Sequence, residues 1–188
     1  KAFYYFPAIS SMVAVGIVWA ILFNPSYGPI NQFLKAVGIS DPPRWLASTS
    51  SALWAVMIVS IWKQVGYYMV MLLAGLQSIY KELYEAAQID GANSVARFFN
   101  ITLPMLSPVT FMVTILAIIG SFQVFDLINI MTKGGPGYAT NVLVYRIYQE
   151  GFKYMRFGYA SAIAYFLFLI IFIVTLIQFR GQKKWVTY

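Results

Sequence analysis

The chain has no cysteine, no histidine and only six acidic residues among its 188. Those absences remove disulfides, thiolate nucleophiles, imidazole bases and the usual metal-ligand sets. No catalytic constellation and no metal site can be assembled from what remains. A Gly-x-x-x-x-Gly-Lys-Ser/Thr run is also missing, so the chain carries no P-loop for ATP and no cofactor site is expected on it. Charge of either sign is scarce, at 10% of residues, where a soluble domain carries about a quarter. Hydrophobic residues make up 60%, and six carboxylates cannot hold that much apolar surface in water. The formal charge of +7 would suit a polyanion, but a nucleic-acid surface needs Lys and Arg gathered on one face. Here they are thinly spread, as in the loops of membrane proteins. The lipid bilayer, not nucleic acid, is the expected partner.

Four stretches reach the roughly 20 apolar residues that a helix needs to cross a bilayer core: residues 3–23, 53–76, 105–125 and 157–179. One charge falls inside them, Lys63, and the last ends at Arg180-Gly181-Gln182-Lys183-Lys184. Between them lie turn clusters, Asn24-Pro25-Ser26-Tyr27-Gly28-Pro29, Asp41-Pro42-Pro43 and Lys133-Gly134-Gly135-Pro136-Gly137. Tyr4, Tyr5, Tyr27, Trp45, Trp54, Tyr154 and Trp185 stand near span ends, where interface anchors belong. The expected fold is all-α: a polytopic membrane helix bundle of four spans, with 1–188 as one transmembrane domain. The chain opens with Lys1, not Met, on a stretch too long and aromatic for a signal-peptide core. It reads as a piece of a longer protein that lacks upstream spans.

Four spans put the N-terminus, connection 77–104 and the C-terminus on one side, with 24–52 and 126–156 on the other. The basic residues divide evenly: Lys1, Lys81, Arg97, Arg180, Lys183 and Lys184 against Lys35, Arg44, Lys133, Arg146, Lys153 and Arg156. The positive-inside rule therefore gives a tie, tipped weakly toward a cytoplasmic C-terminus by the basic tail.

Connection 77–104 is the most informative segment. Lys81 to Asp90 is rich in good helix formers. Gly91 suits the left-handed residue that ends a helix, and Asn93 or Ser94 can cap a second short helix over 95–100. Pro104 fits the first turn of the next span. Two short helices joined at an angle follow, with Ala86 and Ala87 leaving a shallow face open to another protein.

Glu85-Ala86-Ala87, Gly91 after three intervening residues, and Ile101-x-Leu103-Pro104 after nine more resemble the EAA loop of ABC importer permeases. Asp90 stands within it, in Ile89-Asp90-Gly91-Ala92. Asn24-Pro25-x-x-Gly28-x-Ile30-Asn31, Ala74-Gly75-Leu76-Gln77, Phe125-Asp126 with Thr132-Lys133-Gly134-Gly135-Pro136, and Phe157-Gly158-Tyr159-Ala160-Ser161-Ala162 are similar to the carbohydrate branch, as its first permease of the maltose and glycerol-phosphate type. The resemblance implies an EAA loop that is cytoplasmic and docks on an ATPase, which resolves the charge tie. It implies a second permease, two ATP-binding cassette subunits that bind the ATP, and an extracytoplasmic substrate-binding protein, all at the bacterial cytoplasmic membrane. It places the ATPase activity on a separate subunit, so this chain is not an enzyme.

Ser60, Lys63, Gln64 and Tyr67 fall at i, i+3, i+4 and i+7 near the middle of the second span, on one helical face. A Lys at a helix centre costs roughly 2.5–3.5 kcal/mol on insertion scales, tolerable if the face looks into a watery pathway. Ala117, Gly120 and Ser121 of the third span are expected across it. The competing reading has Lys63 snorkel to the interface and Gln64 bond another helix. The Thr132, Gly134, Gly135 and Pro136 loop is expected at the outer mouth, and the small residues Gly158, Ala160, Ser161, Ala162 and Ala164 at a close helix contact. Sugar or polyol is the expected cargo, with glycerol 3-phosphate as the alternative. A secondary transporter or channel is the reading from another class, disfavoured because the spans hold no acidic residue.

Overall fold

The structure, a computed structural model, describes residues 2–185. Those residues contain helices and connections and no strand. The helices are α1 (Ala2–Ile9), α2 (Met12–Leu22), α3 (Pro29–Ala36), α4 (Ala52–Gln77), α5 (Lys81–Ile89), α6 (Ser94–Arg97), α7 (Leu103–Phe122), α8 (Asp126–Met131), α9 (Leu143–Tyr148) and α10 (Phe157–Trp185). Length and apolar composition suffice for a membrane crossing in α4, in the run from Ser94 to Met131 and in α10, while Met12–Leu22 is a shorter apolar helix. The result is a membrane helix bundle.

The chain divides into two compact units rather than one. The first holds the described residues up to Gly66 together with Phe122–Phe168. Its core is Val15 and Phe23, Ala55, Val56 and Val59 of α4, Leu127, Ile128 and Met131 of α8, and Tyr145 of α9. Within this unit the buried positions on α4 are Ala52, Ala55, Val56, Val59, Lys63 and Gly66, a stripe at helical spacing. Asn31 fastens the connection after α2. Its amide donates to the Pro25 and Pro43 carbonyls at 3.3 and 3.2 Å, and its oxygen accepts from Trp45 Nε1 at 2.7 Å.

The second unit holds Tyr67–Ser121 and the described residues from Leu169 onward. There Phe111 meets Phe179 edge-on at 5.5 Å, and a Cβ on Gly75 would lie 2.8 Å from a Val109 methyl, so α4 and α7 are in close contact.

Two expectations about span shape need correction. Residues 3–23 do not form one helix: the chain breaks at Ser10-Ser11 between α1 and α2. Ser10 Oγ turns back to the Phe6 carbonyl at 3.0 Å, a local bond of the kind that competes with the helical ladder. The segment expected as a separate helix over 95–100 instead runs through a π-helical turn, Phe98–Thr102, straight into α7. Pro104 lacks an N–H and crowds the carbonyl four residues back, and the wide turn just before it accommodates that strain-prone position. The helix that carries the last apolar stretch runs past Arg180, since α10 continues to Trp185. Charge ends a membrane crossing, not a helix.

Candidate functional site

The loop at 77–104 is built on Gly91. Its φ is +76°, and around it Ala92 N donates to the Ala87 carbonyl at 2.9 Å while Gly91 N donates to Gln88 at 3.1 Å. That bond pair satisfies the last carbonyls of α5. Nothing would lie within 4 Å of a Cβ on Gly91, so its requirement is backbone conformation, not space. Asn93 then caps α6, its Oδ1 accepting from Ala96 N at 2.8 Å. Tyr84 Oη and Thr102 Oγ1 are 2.9 Å apart and pin α5 to the π turn. Glu85, Ala86, Asp90, Gly91 and Leu103 are exposed, and Ala87, Ile101 and Pro104 are half-buried. Glu85 forms no ion pair among the described residues. The same loop exposes apolar side chains: Ile89 at 87%, Val95 at 65% and Phe99 at 58%. A short helix offering the exposed carboxylates of Glu82 and Glu85, in a loop with exposed apolar side chains, is suited to docking on another protein.

On α4 the four residues expected to share one face part company. Lys63 is buried in the stripe, and its ammonium donates to the carbonyls of Pro7, Ala8 and Ser10 at 2.9, 3.0 and 2.8 Å. It therefore meets the broken end of α1. Ser60 and Gln64 are half-buried on the flank of the stripe, with Gln64 Nε2 donating to Ser60 Oγ at 3.0 Å. Tyr67 is exposed at 47% and lies in the second unit. Ala117, Gly120 and Ser121 also belong to the second unit; Ser121 is exposed and returns its hydroxyl to the Ile118 carbonyl at 2.7 Å.

The Thr132–Pro136 loop folds onto α9. Thr132 Oγ1 and the buried Thr140 Oγ1 are 2.7 Å apart, Thr140 Oγ1 donates to the Gly135 carbonyl at 2.8 Å, and the Tyr145 ring packs directly over Gly134. Of the small residues early in α10, Ala160 is buried, against Gly151, whereas Gly158, Ser161 and Ala162 are exposed and Ala164 is half-buried.

Residues 2–185 match the binding-protein-dependent transport system inner membrane component family. The chain belongs to that family. The chain is 40% identical over its whole length to the probable ABC transporter permease protein YesP of Bacillus subtilis (strain 168). Over 96% of its length it is 40% identical to the sn-glycerol-3-phosphate transport system permease protein UgpA of Yersinia enterocolitica. It spans 61% of each of these relatives. A solved bacterial ABC transporter involved in importing the acidic polysaccharide alginate superposes with a TM-score of 0.85 at 27% identity, over 96% of this chain and 63% of that one.

Two features of the permease escaped the sequence reading. Glu150 is only 1% exposed, 2.6 Å from Arg146 and 3.8 Å from Arg156. The Arg146–Glu150 spacing of four residues was the available signal. The destination of Lys63 had no local signal, since its partners lie more than 50 residues away.

Proposed function

We propose that the chain is the membrane-spanning subunit of an ATP-driven importer, moving a sugar or related polyol into the cell by alternating access. The exposed loop centred on Glu85 and Gly91 carries this reading. Its partners are a second permease, two ATP-binding cassette subunits and an extracytoplasmic binding protein. The ATPase subunits close on ATP and push α5; because that helix adjoins α4 and the run into α7 through short, pinned turns, the push reaches the spans. Docking differs between the two nucleotide states, which biases the equilibrium between outward- and inward-facing forms. The loop 77–104 and the C-terminus are cytoplasmic in this reading, and Thr132, Gly134, Gly135 and Pro136 are at the outer mouth. The similarity to UgpA supports glycerol 3-phosphate as the alternative cargo. Lys63 does not argue for it, because its ammonium is engaged with backbone.

Ser60, Gln64 and Tyr67, with Ala117, Gly120 and Ser121, are the proposed pathway residues: hydroxyls and an amide to meet cargo hydroxyls, and an exposed ring to stack on a sugar. The reading is tested by reconstituting the full-length protein with its partners and assaying ATP-dependent uptake of neutral hexoses, their di- and trisaccharides, uronate oligosaccharides and glycerol 3-phosphate. Gln64→Leu and Tyr67→Ala should lower or re-rank uptake about tenfold, with basal ATPase activity and binding-protein affinity unchanged. Wild-type uptake in both would remove this face from the pathway.

Orientation is tested separately. A cysteine at Lys133, in a chain with no native cysteine, should react with an impermeant maleimide from the outside. Labelling from the cytoplasmic side alone would refute the topology.

A further inference from the structure

We propose that Lys63 is a positioning residue for transport: its ammonium closes the break in the first apolar stretch and ties α1 to the part of α4 that carries Ser60 and Gln64, so that the two move as one piece. The inference rests on the importer reading. A helix that ends inside a membrane leaves carbonyls without partners, and the bilayer core supplies no water for them. Here the carbonyls of Ala8 and Ser10, together with that of Pro7, which also accepts from Ser10 N at 3.3 Å, converge on one buried ammonium at 2.8–3.0 Å. The C-terminal end of a helix carries partial negative charge, so the cation suits it electrostatically as well. An independent contact lies one turn along α4. A Cβ on Gly66 would fall 1.9 Å from the Tyr4 carbonyl oxygen, so the two backbones touch there and only glycine fits. Lys63 and Gly66 thus grip α1 at two points, on the stripe that α4 buries.

The Ser60–Gln64 pair is one turn or less from this grip, on the flank of the same helix. Its position is therefore referenced to α1 through Lys63. Charge on a bond-forming ammonium, rather than bulk, is what the arrangement uses. Arginine can supply donors to the same carbonyls, glutamine can supply two without charge, and methionine supplies none.

The experiment uses the reconstituted complex and whichever member of the carbohydrate and glycerol 3-phosphate panel the wild type accumulates. Lys63→Met, Lys63→Gln and Lys63→Arg are compared for assembly, for ATPase activity and for uptake per ATP hydrolysed. Lys63→Met and Lys63→Gln are expected to hydrolyse ATP within twofold of wild type while uptake per ATP falls at least tenfold and fivefold. Lys63→Arg is expected to retain at least a third of the wild-type ratio. An unchanged ratio in an assembled Met or Gln variant overturns the proposal. So does failure of both to assemble, which would make Lys63 a folding anchor only, and so does an arginine variant as uncoupled as methionine. Absence of ATP-dependent uptake by the wild type would instead count against the importer reading itself.

Discussion

A permease carrying Glu85→Lys together with Gly91→Pro is expected to insert in the membrane and to lose ATP-driven uptake altogether. Gly91 sits at φ +76°, and proline is held near −65°, so α5 cannot end as it does. The substitution also deletes the Gly91 N–H bond to Gln88. Gly91→Ala is a milder version: with open space around the Cβ, its cost is the left-handed backbone alone, about 1 kcal/mol. Glu85 is exposed and has no ion pair among the described residues, so reversing its charge disturbs a partner rather than this chain. The single variants should therefore separate. Glu85→Lys should keep the stability of the permease and weaken ATPase association, and Gly91→Ala should do the reverse. Co-purification of the ATPase subunits and uptake in vesicles measure both effects. Intact assembly and transport in the double variant would remove the coupling role from this loop.

How far the sequence could be read depended on whether the decisive contact was local. Gly91 was legible because a left-handed helix end is a property of a few consecutive residues, as is the Asn93 cap. The break at Ser10-Ser11 was not, because hydropathy averages over a span and cannot register a missing turn of hydrogen bonds. On α4 the spacing of Ser60, Lys63, Gln64 and Tyr67 correctly indicates neighbouring positions on a helix. It cannot say which side of that face is buried, because in a membrane both the core and the lipid surface are apolar. The split was decided by Gly66 and Lys63 meeting α1, contacts between residues more than 50 apart in the chain. The continuous run from α6 into α7 was hidden for a different reason: a π turn has no distinctive composition, and Pro104 read naturally as the start of something new.

Removing the arginine should harm the Arg146–Glu150 pair far more than removing the acid. Glu150 is 1% exposed and lies in the π-helical turn, Gln149–Lys153, that follows α9. Oε1 is 2.6 Å from Arg146, while among the described residues Oε2 accepts no hydrogen bond and has only Arg156 at 3.8 Å. The Arg156 side chain is 72% exposed, so water screens most of its help. Arg146→Met then strands a buried carboxylate, and breaking a buried pair in that way costs about 3–5 kcal/mol. Glu150→Gln removes the charge but keeps the shape, and Arg146, 37% exposed, can turn to solvent. Its cost should be nearer 1 kcal/mol. The double variant Arg146→Met, Glu150→Met strands no charge and should recover most of the loss, a non-additivity expected of residues in direct contact. Thermal midpoints of the purified complex give the order: wild type highest, Glu150→Gln and the double variant between, Arg146→Met lowest. If Glu150→Gln proved the most damaging of the three, the carboxylate would be acting as a negatively charged ligand for something other than Arg146.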